Sequence, residues 1–204
     1  MFDLSSSSSP CAKVPFEIMP RDIPIANGNL LLTFDSRYTL RDVYFPYIGL
    51  ENHTRGEESR FGVWVDGQMS WIHEPAWQKH LRYEDETLVT EVKAVHWGLG
   101  IQLVCRDCVD FDRDLYIRKV EIENLLPMSR DVRLFWHHAF NIWASSEGNT
   151  AYYAPNLQSM IHYKGKCWIL TNVCVSDGDS IDYGVKHYAV GVSRAHGAEG
   201  TWRD

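Results

Sequence analysis

The stretch LVTEVKA, residues 88–94, alternates apolar and polar side chains with a period of two. Its alternate positions from Leu88 to Ala94 share one face, while Glu91 and Lys93 occupy the other, which is typical of a strand with one buried face. A stretch further upstream repeats this alternation and places three apolar residues on one face: Phe61, Val63 and Val65. The chain is therefore expected to form half-buried strands.

Two other stretches, residues 101–109 and 132–138, carry apolar residues on both faces, as strands do between packed layers. Residue pairs that tolerate positive φ separate the strand-like runs: Asn27-Gly28, Asp66-Gly67, Lys164-Gly165 and Asp177-Gly178. Only residues 77–85, shortly after Pro75, suit a short helix. We therefore predict an all-β fold of stacked antiparallel sheets.

The predicted domain organisation is a short lead-in followed by one domain. Residues 1–13 are rich in serine and lack periodic apolar positions, so we expect them to be flexible. Residues 14–204 contain no repeat or internal linker, and a chain of 204 residues with 45% hydrophobic content can bury a sizeable core. We expect them to form a single β-sandwich, truncated after the polar run Gly-Thr-Trp-Arg-Asp204 and before a further part of the protein.

Charge and composition exclude some classes of partner. The 27 acidic residues outnumber the 20 Lys and Arg residues and give a net charge of -7, so there is no basic field for nucleic acid. No run approaches the roughly 18 apolar residues that a membrane helix requires, and the N-terminus lacks the pattern of a secretion signal. An odd number of cysteines, five, favours a reducing compartment. We expect a cytoplasmic protein that binds neither nucleic acid nor membrane.

Two patterns that suggest metal ligands are better explained structurally. The densest acidic run comprises Asp107, Asp110, Asp112 and Asp114. Its spacing resembles the start of a calcium loop, but Leu115 stands where that loop needs glycine, so an acidic hairpin loop is the better interpretation. Cys105 and Cys108 lie an odd number of residues apart on one strand and face opposite sides, which favours two inert thiols over a zinc site. We expect no metal and no cofactor.

Two adjacent histidines, His137 and His138, lie in an aromatic strand, where only one of them can enter a given pocket. One of them is a candidate general base. The alternative, which we favour, is a histidine packed among aromatic side chains with its ring nitrogens hydrogen-bonded. Because the sequence lacks the common catalytic motifs, including Gly-x-Ser-x-Gly and His-Glu-x-x-His, we assign no catalytic residue.

The densest mixture of polar and aromatic residues forms a loop predicted between two strands within residues 44–64. It is longer than a hairpin needs, and long loops on rigid scaffolds often have a function. Five of its side chains are suited to directional hydrogen bonds with a sugar or a neighbouring domain: Glu51, Asn52, His53, Arg55 and Arg60. The alternative is a solvated loop held by internal salt bridges. Asn52-His53-Thr54 is also a formal N-glycosylation sequence, which matters only in a secretory pathway.

Several segments carry a resemblance to a known family: NGNLLLTFD (27–35), LRDVYFP (40–46), GLENHT (49–54), RFGVWVDG (60–67), RKVEIEN (118–124) and EGTWRD (199–204). They resemble the N-terminal domain of bacterial and archaeal glucoamylase-like proteins of glycoside hydrolase family 15. The resemblance implies a two-layer antiparallel super-sandwich similar to the galactose mutarotase fold. It also implies a following barrel of paired helices, whose two glutamates cleave α-glucosidic bonds in glucans, dextrans or trehalose. Those glutamates match no position of this sequence.

Three functions are compatible with the sequence. The first is a non-catalytic domain that packs against the C-terminal catalytic barrel of the same protein and extends residues 51–60 toward the substrate. The second is a stand-alone aldose epimerase that uses a His and Glu pair. The third is a carbohydrate-binding module whose exposed Trp or Tyr residues stack on an α-glucoside. We prefer them in that order.

Overall fold

The computed structural model describes residues 22–173, and strands dominate this part of the chain. In chain order the strands are β1 Asp22–Ala26, β2 Leu31–Asp35, β3 Leu40–Tyr44, β4 Arg60–Val65, β5 Gln68–Trp71, β6 Gln78–Tyr83, β7 Thr90–His96, β8 Ile101–Val109, β9 Tyr116–Asn124, β10 Val132–His137, β11 Thr150–Ala154, β12 Ser159–Lys164 and β13 Cys167–Thr171. A single 3-10 turn, Ile142–Ala144, is the only helical element between residues 22 and 173. Within that range no helix is long and apolar enough to cross a membrane.

The strands pair into four sheets, in which every pairing is antiparallel. The first sheet has the order β1-β2-β3, the second β10-β4-β5, the third β6-β7-β8-β9 and the fourth β11-β12-β13. Strand β10 does not pair with its chain neighbour β9 but adds to the edge of β4. The prediction of an all-β fold of antiparallel sheets is confirmed.

A hydrophobic core joins the first three sheets. Strand β4 supplies Phe61, Val63 and Val65, and strand β7 supplies Val92 and Ala94, as the period-two pattern predicts. Each large apolar side chain buried in this way stabilises the fold by about 1.5–3 kcal/mol. The buried apolar side chains of the fourth sheet lie outside this core.

The predicted turn residues connect paired strands. Asn27-Gly28 follows β1, and Lys164-Gly165 joins β12 to β13. Asp66 and Gly67, with φ of 51° and 82°, form the turn between β4 and β5, where a left-handed backbone matches the twist of a hairpin. Three features of the sequence analysis fall outside the described residues: Asp177-Gly178, the lead-in at residues 1–13 and the final run at 199–204.

Two local predictions are wrong. Residues 77–85 contain strand β6 rather than a short helix, because Lys79, Leu81 and Tyr83 turn inward while the residues between them are exposed. Pairing with β7 satisfies the backbone of this segment and outweighs the helix start signal at Pro75. Leu88 precedes β7 and is exposed rather than buried with the alternate residues of that strand.

A fully buried carboxylate, Asp107 on β8, forms an ion pair with Arg118 on β9. The Nε atom of Arg118 donates a hydrogen bond to Oδ1 of Asp107 at 2.6 Å. Three hydroxyl groups donate to the same carboxylate, those of Tyr38, Thr90 at 3.0 Å and Tyr116 at 2.5 Å. Four donors therefore replace the water around a charge that is costly to bury alone.

The guanidinium of Arg118 lies in an aromatic cage that three sheets build together. Its central carbon is 4.7 Å from the ring centroid of Tyr38, 4.9 Å from that of Phe61, 5.2 Å from that of Phe34 and 5.8 Å from that of Tyr116. Burial raises the pKa of both tyrosines well above its ordinary value, so both remain hydroxyl donors. The cage thus holds the cation by π contacts and the anion by hydrogen bonds.

A second, half-buried contact joins the second and fourth sheets just beyond β10. The ring of His138 stacks on Phe140 with centroids 5.5 Å apart and meets His162 of β12 edge-on at 6.1 Å. Burial lowers the pKa of His138 to about 3, and the nearby His162, His137 and Arg118 act in the same direction. His138 is therefore neutral at physiological pH.

The substitution Arg118→Met is expected to destabilise the protein by about 3–5 kcal/mol, because it leaves the Asp107 charge buried without its cation. The matched control is Arg106→Met on β8, since Arg106 pairs with Glu84 and Glu121 on a solvated face and its loss should change stability little. Urea unfolding followed by tryptophan fluorescence measures both variants. Equal losses of unfolding free energy in the two variants would contradict the conclusion that Arg118 stabilises the core.

The free energy of unfolding is expected to fall as the pH drops from 7 to 5. His138 has a pKa of about 3 in the folded protein and an ordinary value of 6.5 in the unfolded chain. The unfolded chain therefore binds a proton in this pH interval, whereas the folded protein does not. This difference lowers the free energy of unfolding by about 2 kcal/mol between pH 7 and pH 5. Urea titrations at both pH values test this for the wild type and His138→Phe. A variant with the same pH dependence as the wild type would contradict the assignment.

Candidate functional site

The loop predicted to have a function connects β3 to β4 and consists of residues 45–59. It folds back along β3, since Tyr44 forms an isolated bridge with Asn52 and Leu40 forms one with Ser59. The loop is therefore fastened at its middle and at its end. Its first half, residues 45–51, forms the projecting part between the end of β3 and the bridge at Asn52.

The side chain of Asn52 holds the middle of the loop. Its Oδ1 atom accepts hydrogen bonds from the backbone N–H groups of Val43 and Thr54, both at 3.1 Å, and from the Thr54 hydroxyl at 2.9 Å. Its Nδ2 atom donates to Oδ1 of Asp42 at 2.6 Å. Both polar atoms of the side chain are therefore engaged by neighbouring groups, and Asn52 serves here as a structural element of the loop.

His53 is buried at the base of the loop. Its Nδ1 atom accepts a hydrogen bond from the backbone N–H of Trp143 at 3.0 Å, so the proton resides on Nε2, which donates to the carbonyl of Phe45 at 2.6 Å. Its backbone N–H donates to Val43, and its carbonyl accepts from Asn141. His53 therefore links β3, the loop and the segment that follows β10.

Trp143 adopts an unusual backbone conformation beside His53. Trp143 and Ala144 have φ of 60° and 50°, a left-handed conformation that costs a non-glycine residue on the order of 1–3 kcal/mol. The indole meets the His53 ring edge-on, with centroids 5.2 Å apart, and is partly exposed. The contact with His53 thus helps to hold a strained segment that presents a tryptophan to solvent.

The projecting half of the loop exposes apolar side chains. Tyr47, Ile48 and Leu50 are exposed, as are the charged residues Glu51 and Arg55 beside them. We call residues 47–50 the loop tip. An exposed apolar tip on a fastened loop is typical of a surface that contacts another macromolecule.

Arg60 lies apart from the loop tip, at the start of β4. Its guanidinium packs over the indole of Trp71 at 4.9 Å, and its Nη1 atom is 3.5 Å from Nε2 of His73. Burial and the charge of Arg60 lower the pKa of His73. The structure therefore divides the five candidate residues: Asn52 and His53 hold the loop, Glu51 and Arg55 face solvent, and Arg60 packs on the second sheet.

The acidic run forms the hairpin loop between β8 and β9. Oδ1 of Asp110 accepts hydrogen bonds from the backbone N–H groups of Asp112 and Arg113 at 3.0 and 2.9 Å, and Asn27 donates to two carbonyls of this loop. Asp107 is separated from the rest of the run, because it points into the core. The interpretation as an acidic hairpin loop agrees with this geometry.

The cysteines of β8 face opposite sides of the strand, as predicted. Cys105 is buried beside the aromatic cage, and burial raises the pKa of its thiol to about 12. Cys108 lies on the other side and borders an apolar cavity of about 240 Å³. Seven residues line this cavity: Ile25, Ala26, Leu88, Val89, Cys108, Val109 and Phe111. The cavity wall contains no carboxylate, so it lacks the carboxylic acid and the carboxylate nucleophile or base of a glycosidase.

Of the two adjacent histidines, His138 forms no hydrogen bond or ion pair with a carboxylate within residues 22–173. His138 is half-buried and packs against Phe140 and His162, and its buried Nδ1 atom has no hydrogen-bond partner within residues 22–173. A general base works best with a pKa near the operating pH, whereas that of His138 is about 3. The aromatic packing matches the favoured alternative, but the hydrogen bond expected at Nδ1 is absent.

Comparison with known proteins gives two similarities. No protein-family model matches the sequence. An uncharacterized glycosyl hydrolase of Methanocaldococcus jannaschii is 24% identical over 142 residues, which cover 70% of this chain and 22% of that protein. The crystal structure of a bacterial glucoamylase complexed with acarbose matches 71% of this chain and 21% of its own, with a TM-score of 0.60 and 17% identity. The second similarity shows a shared fold alone.

The chain spans about a fifth of the length of each of these two proteins. Its sequence is similar to that of a glycosyl hydrolase, and its fold is similar to part of a bacterial glucoamylase. These similarities indicate a β-sandwich domain related to glycosyl hydrolases.

Proposed function

We propose that this chain is the non-catalytic N-terminal β-sandwich domain of a larger glycoside hydrolase of family 15. A C-terminal barrel of paired helices then supplies the catalytic glutamates, and the whole protein hydrolyses α-glucosidic bonds in glucans, dextrans or trehalose. The similarity to a much longer glycosyl hydrolase and the fold shared with part of a glucoamylase support this proposal. A cytoplasmic location is part of it, because Cys105, Cys108 and Cys167 are free thiols.

The arrangement of carboxyl groups is the observation on which the proposal depends most. A glycosidase holds two carboxyl groups about 5–10 Å apart across a substrate pocket, and its general acid has a raised pKa. The pKa values of Asp35, Glu91 and Glu121 are instead lowered: hydrogen bonds outweigh burial at Asp35, Arg82 acts on Glu91, and Lys119 on Glu121. Asp107 is enclosed by its partners in the core, where a substrate does not reach it.

The isolated chain is expected to release no glucose from maltoheptaose, dextran or trehalose above the buffer rate, because the proposal places the acid and the nucleophile in the barrel. An enzyme-coupled glucose assay over several hours measures this, with the intact parent protein as positive control. Hydrolysis that co-purifies with the isolated chain through two chromatographic steps would refute the proposal.

The loop tip is the surface that we propose to pack against the catalytic barrel. Its apolar side chains are exposed, and the hydrogen bonds of Asn52 and His53 fix its base, so little conformational entropy is lost when a partner covers it. Glu51 and Arg55 would form the polar rim that surrounds the apolar centre of a typical interface. This chain covers only 22% of the M. jannaschii relative, so that relative is long enough to contain a further domain of the kind proposed as the partner.

Leu50→Asp in the intact parent protein is expected to weaken the contact between the two domains, because it places a charge in an apolar interface. Leu88→Asp is the matched control, since both leucine side chains are 67% exposed in this chain. Limited proteolysis should separate the domains of the Leu50 variant at least fivefold faster than those of the control. In the isolated chain both variants should be as stable as the wild type. Equal cleavage rates would exclude the loop tip as the interface.

A further inference from the structure

The fourth sheet has a partly exposed row of aromatic side chains on one face, beside the buried Ile161. Tyr163 on β12 lies directly opposite Trp168 on β13, and Tyr152 on β11 lies opposite Ile161. Directly opposed residues of antiparallel strands point to the same side, as do residues two apart on one strand. Tyr152, Tyr163 and Trp168 therefore share a face, and we call them the aromatic row.

The rings of the row contact one another in sequence. Tyr163 and Trp168 stack with centroids 4.5 Å apart and an angle of 12° between their planes, and Tyr152 meets Tyr163 edge-on at 6.1 Å. Trp168 is 51% exposed, and no further strand between residues 22 and 173 pairs with β13 on its outer side. One face of the indole rests on Tyr163, and half of the residue remains exposed.

The polar atoms of the row also have unused hydrogen-bonding capacity. Within the described part of the chain, the hydroxyl groups of Tyr152 and Tyr163 and the indole N–H of Trp168 make no hydrogen bond to protein. Leu170, next to the row on β13, is exposed as well. The row therefore combines flat apolar surfaces with donors and acceptors at their edges.

We propose that the aromatic row binds an α-glucan chain, with one glucose ring stacked on the outer face of Trp168. The apolar C–H groups of a glucose ring match an aromatic face, and its hydroxyl groups match the hydroxyl and N–H groups at the rim. The choice of α-glucan rests on the proposed function. Such a site lies outside the catalytic barrel and would keep a polymeric substrate close to it.

A protein partner fits this surface less well than a sugar does. A stable protein interface buries about 800 Å² on each side, whereas the row consists of three side chains with Leu170 beside them. Lys166 is exposed in the adjoining turn, and lysine is depleted at interface centres. The loop tip, with three apolar side chains on a fastened loop, meets the requirements of a domain contact better.

Affinity electrophoresis of the 204-residue chain in native gels that contain soluble amylose or dextran tests the proposal. The wild type is expected to be retarded by at least one glucan, and Trp168→Ala should weaken the apparent affinity at least tenfold. Trp97→Ala is the matched control, because Trp97 is 67% exposed in the turn between β7 and β8 and its N–H already bonds to Gln78. It should be retarded like the wild type. Trp168→Phe, which keeps a ring, should retain most of the retardation.

Circular dichroism establishes that each variant is folded, and if Trp168→Ala unfolds, Tyr152→Ala and Trp168→Phe take its place. A wild-type chain retarded by neither glucan would overturn the proposal, as would a folded Trp168→Ala retarded like the wild type. A wild type that self-associates without binding glucan would show a protein-binding surface and would also overturn it. Absence of glucan binding would not affect the proposed non-catalytic role. Glucose release by the isolated chain would refute that role without affecting the proposal that the aromatic row binds glucan.

Discussion

The buried ion pair between Asp107 and Arg118 is the constraint on which the described fold depends. The two residues are direct partners across β8 and β9, so the pairing of the third sheet places their charges together. The first and second sheets then supply the rings of Phe34 and Phe61 that close over the guanidinium. Purely apolar cores tolerate considerable repacking, whereas a buried charge requires each of its partners in place. The pair therefore favours one arrangement of the three sheets.

This arrangement of the three sheets determines the position of the candidate functional loop. Strand β3 belongs to the first sheet and β4 to the second, so the loop of residues 45–59 spans two sheets that the aromatic cage holds together. The hydrogen bonds of Asn52 and His53 hold the loop in one conformation. His53 also contacts the strained turn at Trp143. Polar side chains in the middle of the loop thus support an apolar tip.

Period-two alternation and turn residues were sufficient to predict the fold class, because both are local signals of strands that bury one face. The same alternation along β8 puts Asp107 on one face with Ile101 and Leu103, so the sequence pattern does predict that Asp107 is buried. This burial was missed because Asp107 was grouped with the three acidic residues that follow it. The position of His53 was not predictable, since its partner Trp143 is ninety residues away and a polar loop sequence suggests exposure. Residues 77–85 form strand β6 rather than a helix because they pair with β7. The local sequence pattern does not reveal which strands pair.

Our central proposal is that residues 22–173 form a sandwich that supports hydrolysis carried out by another domain of a larger protein. A crystal structure of the intact parent protein with a bound α-glucoside inhibitor tests it most directly. Our account predicts that the two carboxyl groups flanking the inhibitor lie outside residues 22–173 and that the loop tip contacts the part of the protein that holds them. Two carboxylates from residues 22–173 on either side of the scissile position would contradict it.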